Sequence, residues 1–282
     1  MDGRRLWKIA GRMVDLSRRG MIMGVLNVTP DSFSDAGEFF PAEKAVEHGL
    51  QMASDGAQII DIGGESTRPG AEPISVDEEL RRVIPVIESL RCKIDIFISI
   101  DTSKSKVASA ALEAGASIVN DVTGGRGDKE MMTLVAKRNA GFVIMHMQGE
   151  PRTMQIDPLY ADVVSEVADF FRQQYAYALD CGIDPMAIAL DPGIGFGKTL
   201  SHNLELLKNL QRLRLNDRPI VVGVSRKSFL GKLIGSSTVA DRLSPTVALT
   251  SLLRARGADV FRVHDVRENA MALRVSEVIL EP

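Results

Sequence analysis

The 282-residue chain is 45% hydrophobic and 25% charged, as an ordinary globular protein is, and is long enough for one large α/β domain or two smaller ones. Its formal net charge of −3 gives no global pull toward nucleic acid or an anionic membrane, so neither is an expected partner. Cys92 and Cys181 belong to no CxxC or Cys/His cluster, which argues against structural zinc and a disulfide scaffold and for reduced, buried thiols in a cytoplasmic protein. No apolar core of signal-peptide length follows the N-terminus, and no apolar run approaches the roughly 20 residues of a membrane span.

Residues 5–16 alternate weakly around Gly11-Arg12, the pattern of a short hairpin. The first apolar strand, 21–26, runs into NVTPDSFSD at 27–35. Asn27 offers a neutral oxygen to a hard cation, and Asp31 and Asp35 offer carboxylates. An ordinary Asx/Pro turn explains part of this stretch. Phe33, an aromatic in a polar loop, suits a substrate cover. A helix is expected over 41–55. Strand 58–62 leads into GGESTRPGAEPIS at 63–75, where glycines and a proline give a mobile loop with fixed corners; Thr67 and Arg68 suit contact with an anionic substrate, the alternative being a long surface loop with a solvated arginine. Ser75, followed by Asp77, Glu78 and Glu79, opens a helix over 76–90.

Strand 94–100 ends at Asp101 and strand 117–119 at Asn120-Asp121, with helices expected over 104–114 and 128–139. A carboxylate beside an amide reads the paired N–H and C=O edges of a flat heterocycle; for Asp101 alone, a helix cap is the plainer reading. Strand 141–145 precedes His146, which reads as structural, with Met145 against the pocket floor. A long helix follows over 160–181. Strand 187–190 leads to DPGIGFGKT at 191–199. This fails the Walker pattern because Pro192 stands where its first glycine belongs. Its glycines let the backbone and Phe196 approach a ligand, and Asp191 accepts from ring N–H donors. A helix over 204–213 and strand 220–224 come next. Lys227 then reaches for the site, and Ser228 at a helix start suits a carboxylate. Helices over 228–234 and 239–256 precede strand 259–263. Arg262 and His264, two apart, make an anion site at its end, and a last helix covers 266–280.

Eight strand–helix units of about 35 residues match a closed (β/α)8 TIM barrel, with functional groups at the C-terminal strand ends. No GxGxxG turn supports the alternative, an open doubly wound sheet. No linker divides residues 1–282, so one domain is expected. The residue types suit electrostatics and positioning rather than covalent catalysis.

In that order, NVTPDSFSD, GGESTRPGAEPIS, DTSK, ND, MHMQGEPRTMQ, DPGIGFGK, SRKSFLG and RVHD resemble the dihydropteroate synthase family from about residue 21 to the C-terminus. The resemblance implies a barrel enzyme of folate synthesis, usually a homodimer. Such an enzyme joins 6-hydroxymethyl-7,8-dihydropterin diphosphate to p-aminobenzoate with Mg²⁺. It implies pterin contacts from Asp101, Asn120, Val122, Met145, Asp191, Lys227 and Arg262. The diphosphate falls to Asn27, Arg262 and His264, and the metal to Asn27. Phe33, Thr67, Pro69, Phe196 and Ser228 resemble the p-aminobenzoate site, with Arg68 in its covering loop. Asp101, Lys227, Asp35, Arg262 and His264 are the expected catalytic set. Without an obvious insertion at 67–69, ordinary sulfonamide sensitivity is expected. The competing readings are a pterin-barrel methyltransferase serving a corrinoid and a silent pterin-binding paralogue. The first would not need Ser225–Ser228 with Arg262 and His264 for a carboxylate and a diphosphate, and the second would be expected to have lost Asn27, Lys227 or His264.

Overall fold

The computed structural model describes residues 4–29, 41–66, 70–150 and 153–281. Asp31, Phe33, Asp35, Thr67, Arg68 and Pro69 lie outside them. β1 (Leu6–Ile9) and β2 (Arg12–Asp15) form the N-terminal antiparallel hairpin. Eight parallel strands follow: β3 (Met21–Asn27), β4 (Ile59–Gly63), β5 (Phe97–Asp101), β6 (Ile118–Asp121), β7 (Gly141–Met145), β8 (Ile188–Asp191), β9 (Val221–Val222) and β10 (Val260–Val263). Their order, β8-β7-β6-β5-β4-β3-β10-β9, makes a nearly closed barrel. The seam is closed by a single bridge between Leu190 and Ile220 and by the Leu190 N–H on the Pro219 carbonyl at 2.9 Å.

The helices are α1 (Pro41–Ser54), α2 (Val76–Arg91), α3 (Ser105–Ala114), α4 (Met131–Arg138), α5 (Val163–Asp180), α6 (Leu200–Lys208), α7 (Ser228–Ile234), α8 (Leu243–Ala255) and α9 (Val266–Leu280). Ser75 caps α2 by accepting from the Glu78 N–H, as the sequence suggested. The starts of α4, α5, α6 and α8 differ from expectation; α4 begins at Met131 rather than at 128. Asp162 caps α5 through the Val164 and Ser165 N–H groups. Thr199 and His202 form a capping box that starts α6 four residues early, and the chain breaks at Asn209 into a 3₁₀ turn. The helix expected from 239 begins as a 3₁₀ turn, with α8 proper starting at Leu243. Both cysteines are free, but neither is buried. Cys92 is exposed where α2 ends, and Cys181 is half-buried at the end of α5.

Alternation along each strand sends one set of side chains into the barrel. At the bottom that set is apolar: Met21, Met23, Ile59, Ile118, Val143, Ala189, Val221 and Val260. The hairpin closes this end, packing Trp7 and Ile9 fully buried against the same cluster. The Trp7 indole N–H donates to the Ala187 carbonyl at 2.8 Å, which fixes the plug. The other strand face and the helices form a second, larger core. With the bottom filled by apolar side chains, the polar residues of the strands gather toward the other end.

Candidate active site at the barrel mouth

Continuing up the same alternation, the interior turns polar. Asp61 on β4 and Ser99 on β5 are fully buried, and Asn120 on β6 nearly so. One step higher, the cross-strand register places Asn27 beside Gly63 and Gly63 beside Asp101. A methyl group on Gly63 would lie 3.7 Å from Asp101 Oδ2 and 3.8 Å from Asn27 Oδ1, so the glycine leaves these two oxygens a shared space. The sequence placed the polar residues just beyond the strands; Asn27, Asp101 and Asp191 are instead the last residues of β3, β5 and β8. Asp101 is not a helix cap, because Lys104 holds that position for α3.

Arg262 ties this layer together. Its Nε donates to Asp61 Oδ2 at 2.6 Å, and its Nη2 donates to Asp101 Oδ2 at 2.7 Å. Asn120 Nδ2 donates to the same Asp61 oxygen at 3.0 Å. One buried carboxylate thus orients both an amide and a guanidinium. Asp61 was missed in the sequence, although its position two residues before Gly63 on an alternating strand marked it as inward-facing. Asp61 Oδ1, Asp101 Oδ1 and Ser99 Oγ find no protein partner, so this layer keeps hydrogen-bonding capacity to spare.

Burial and the nearby carboxylates of Asp61, Glu79 and Asp121 push Asp101 up to about 7, against the pull of Arg262. Burial opposes the Arg262 charge as well, yet Asp61 and Asp101 outweigh it and hold the guanidinium above its ordinary value. Burial also raises Asp191, opposed by Lys227 and by the Gly193 N–H on its Oδ1 at 2.7 Å. Lys227 is pushed down to about 8 by burial, with Asp191 opposing and Arg262 reinforcing.

The 191–199 turn forms the far wall. Gly193 has φ 64°, and a Cβ there would lie 1.9 Å from the His146 carbonyl oxygen, so only glycine permits this approach. Lys227 Nζ donates to the Ile194 carbonyl and sits 4.6 Å from the centre of the Phe196 ring. Phe196 packs on Val122, Met145, Met147 and Met154, an apolar wall facing the charged one. His146 is structural, as expected: its ring packs edge-on against Phe170, and its Nδ1 lies 3.0 Å from Lys198 Nζ. Burial, with Lys198 nearby, pushes His146 down to about 2, so the ring is neutral and Nδ1 accepts. Lys198 escaped the sequence reading. It is buried and also donates to the carbonyls of Phe196 (2.9 Å) and His146 (3.3 Å), pinning the turn to β7. His264 follows β10, its backbone N–H and Nδ1 each 3.1 Å from Ser225 Oγ. Ser228 is exposed at the start of α7.

The barrel therefore gathers Asn27, Asp101, Asn120, Val122, Met145, Asp191, Phe196, Lys227 and Arg262 around its mouth, with Ser228 and His264 on flanking turns. The pattern of the pterin binding enzyme family matches residues 23–264. The chain belongs to this family, and within it to the dihydropteroate synthases. The dihydropteroate synthase of Escherichia coli K12 is 46% identical over 272 residues, covering 96% of this chain and 95% of that one. The Xanthomonas albilineans dihydropteroate synthase solved with 4-aminobenzoic acid superposes with a TM-score of 0.92 at 43% identity, covering 99% of this chain and 100% of that one. The same enzyme in complex with 7,8-dihydropteroate gives a TM-score of 0.88 at 40% identity, covering 98% and 100%. Two features suit a family that handles pterins: donors and acceptors alternate along Asn120, Asp61, Arg262 and Asp101, and Val122, Met145, Met147, Met154 and Phe196 offer an apolar wall.

Proposed function

We propose that this chain, acting as one domain, is a dihydropteroate synthase in which pyrophosphate departs before the amine attacks. It joins 6-hydroxymethyl-7,8-dihydropterin diphosphate to p-aminobenzoate, giving 7,8-dihydropteroate and pyrophosphate. The observation that carries this reading is the pairing of Arg262 with two buried carboxylates, Asp61 and Asp101, at the mouth. A cation held by carboxylates can face a leaving anion on one side while the carboxylates face a developing cation on the other.

In this reading Asp101, Asn120, Asp191 and Lys227 bind the ring edge, and Val122 and Met145 lie against its face. Arg262 and His264 take the diphosphate. The C–O bond to the methylene breaks, and its electron pair leaves with pyrophosphate. The methylene cation, delocalised into the pterin, is favoured by Asp101 and by Asp35. The amine lone pair of p-aminobenzoate forms the C–N bond, and the nitrogen's proton passes to solvent. Phe196, Ser228, Phe33, Thr67 and Pro69 hold the second substrate, with Arg68 over it. In this reading the neutral aryl amine attacks a cation, and that step needs no protein base.

Asn27 would hold a Mg²⁺ through its Oδ1, a neutral hard oxygen at the barrel mouth. Bound there, the ion would neutralise charge on the leaving diphosphate. The enzyme works as a homodimer in the cytoplasm. The apolar residues Leu252 on α8 and Met271, Val275, Val278 and Ile279 on α9, all exposed in the single chain, support the dimer. Ordinary sulfonamide sensitivity belongs to the same reading; undiminished turnover at drug concentrations that block related synthases would refute it. The test of the activity is equimolar formation of 7,8-dihydropteroate and pyrophosphate from both substrates with Mg²⁺. Pterin binding without either product would favour a silent paralogue.

A further inference from the structure

We propose that Arg226 and Asp265 form a latch that sets His264 against the turn carrying Lys227 and Ser228, making both of them positioning residues for the synthase reaction; the inference rests on the function proposed above. It begins from the backbone. Arg226 has φ 57°, a left-handed conformation that is costly for a residue with a side chain. Such strain persists where surrounding contacts over-determine it. Here they do. The Arg226 N–H donates to Thr246 Oγ1 at 3.3 Å, and its carbonyl accepts from Arg242 Nη1 at 2.9 Å. Its guanidinium makes a forked pair with Asp265: Nε donates to Oδ2 at 2.9 Å and Nη2 to Oδ1.

Three further facts give the fork a purpose. First, the β9–β10 ladder is short. It pairs Val221 with Val260 and Val222 with Phe261, below the residues that would do chemistry. Side chains must register the turns above it. Second, there are two such ties side by side. Ser225 Oγ accepts from the His264 N–H, and Arg226 holds the next residue, Asp265. Third, Asp265 stands at the cap position of α9 but makes no side-chain cap bond. Its carboxylate serves Arg226 instead, forgoing a stabilising contact. Because the Arg226 side chain is 43% exposed, an ion pair made for stability alone would add little. It does not account for a strained backbone and an unused cap. A fixed distance between the Lys227 turn and His264 does.

Two single variants and their double test this. Asp265→Asn is isosteric and keeps a good capping residue, and Arg226→Gly removes the fork while relieving the left-handed strain. Each single should keep or raise Tm and lower kcat/KM for the pterin diphosphate by about tenfold or more, as a misplaced group does. Binding of a pterin lacking the diphosphate should fall by less than kcat/KM does, since Lys227 keeps its tie to the Ile194 carbonyl, and the double variant should be no worse than the worse single. The ring ¹⁵N shifts of His264, which need no turnover, should move in both singles. Wild-type kcat/KM in either single, additive losses in the double, a fall in Tm matched by loss of pterin binding, or unmoved His264 signals would each overturn the latch. Moved His264 signals in a protein that never releases pyrophosphate would support the latch and sink the synthase reading instead.

Discussion

Arg262 is shared between two carboxylates, Asp61 and Asp101. Asp61 lies fully buried under both Arg262 and Asn120, while Asp101 is the rim carboxylate held up to about 7. If ionised Asp101 stabilises the methylene cation, kcat/KM should fall as pH drops below about 7, and Asp101→Asn should lose that limb. A pH–rate profile of both proteins checks this. The same variant should lower kcat by at least about tenfold, far more than it weakens pterin binding; equal losses in both would remove the charge-stabilising role. The stability effect has the opposite sense. A carboxyl raised from 3.8 to about 7 holds its proton more tightly folded than unfolded, so the ionised group costs stability as pH rises through that window. Asp101→Asn should therefore melt at or above wild type at pH 8, with the gap closing toward pH 4; calorimetry at the two pH values reads it. At this scale the sequence revealed the rim residues, because each ends an apolar run. It concealed Asp61 and Lys198, whose partners lie 201 and 52 positions away along the chain.

Among the elements, the N-terminal hairpin carries the clearest structural duty. It was legible as a weakly alternating stretch around Gly11, but its anchors were not, since they come from the far end of the chain. Arg254 Nη2 donates to the Leu16 carbonyl at 3.2 Å, and Arg218 Nη1 to the Leu6 carbonyl at 3.2 Å. Fully buried Asp259 pairs with Arg5 (2.7 Å), Arg214 (2.9 Å) and Arg254 (3.4 Å). Asp259→Ala removes the buried carboxylate that three guanidinium groups share and should cost about 3 kcal/mol. Trp7→Ala opens a cavity under the barrel and should cost about 3–5 kcal/mol. Denaturant melts measure both, and native-like stability in either would mean that the hairpin does not close the barrel floor. The helix boundaries teach the same lesson. α7 and α9 were legible to the residue, whereas α5 and α6 shifted because Asp162 and the Thr199/His202 capping box outranked the apolar periodicity.

For the whole molecule, the eightfold alternation made the barrel legible, because each apolar run is followed by a helix that must cross back over the sheet. The seam was not legible. β9 holds only two residues where five were expected, and the barrel closes through one bridge. In the proposed homodimer the outer surface of α8 and α9 is covered by the second copy, so Val275→Arg should leave a monomer with an intact fold, seen as halved mass by light scattering and unchanged circular dichroism. In the proposed mechanism the site favours a cation formed before the amine arrives. Mixing enzyme, Mg²⁺ and the pterin diphosphate alone in a rapid-quench, single-turnover experiment checks this. Pyrophosphate should appear without p-aminobenzoate, at a rate that added amine leaves unchanged. Release that is absent without the amine and rises in proportion to its concentration would contradict it.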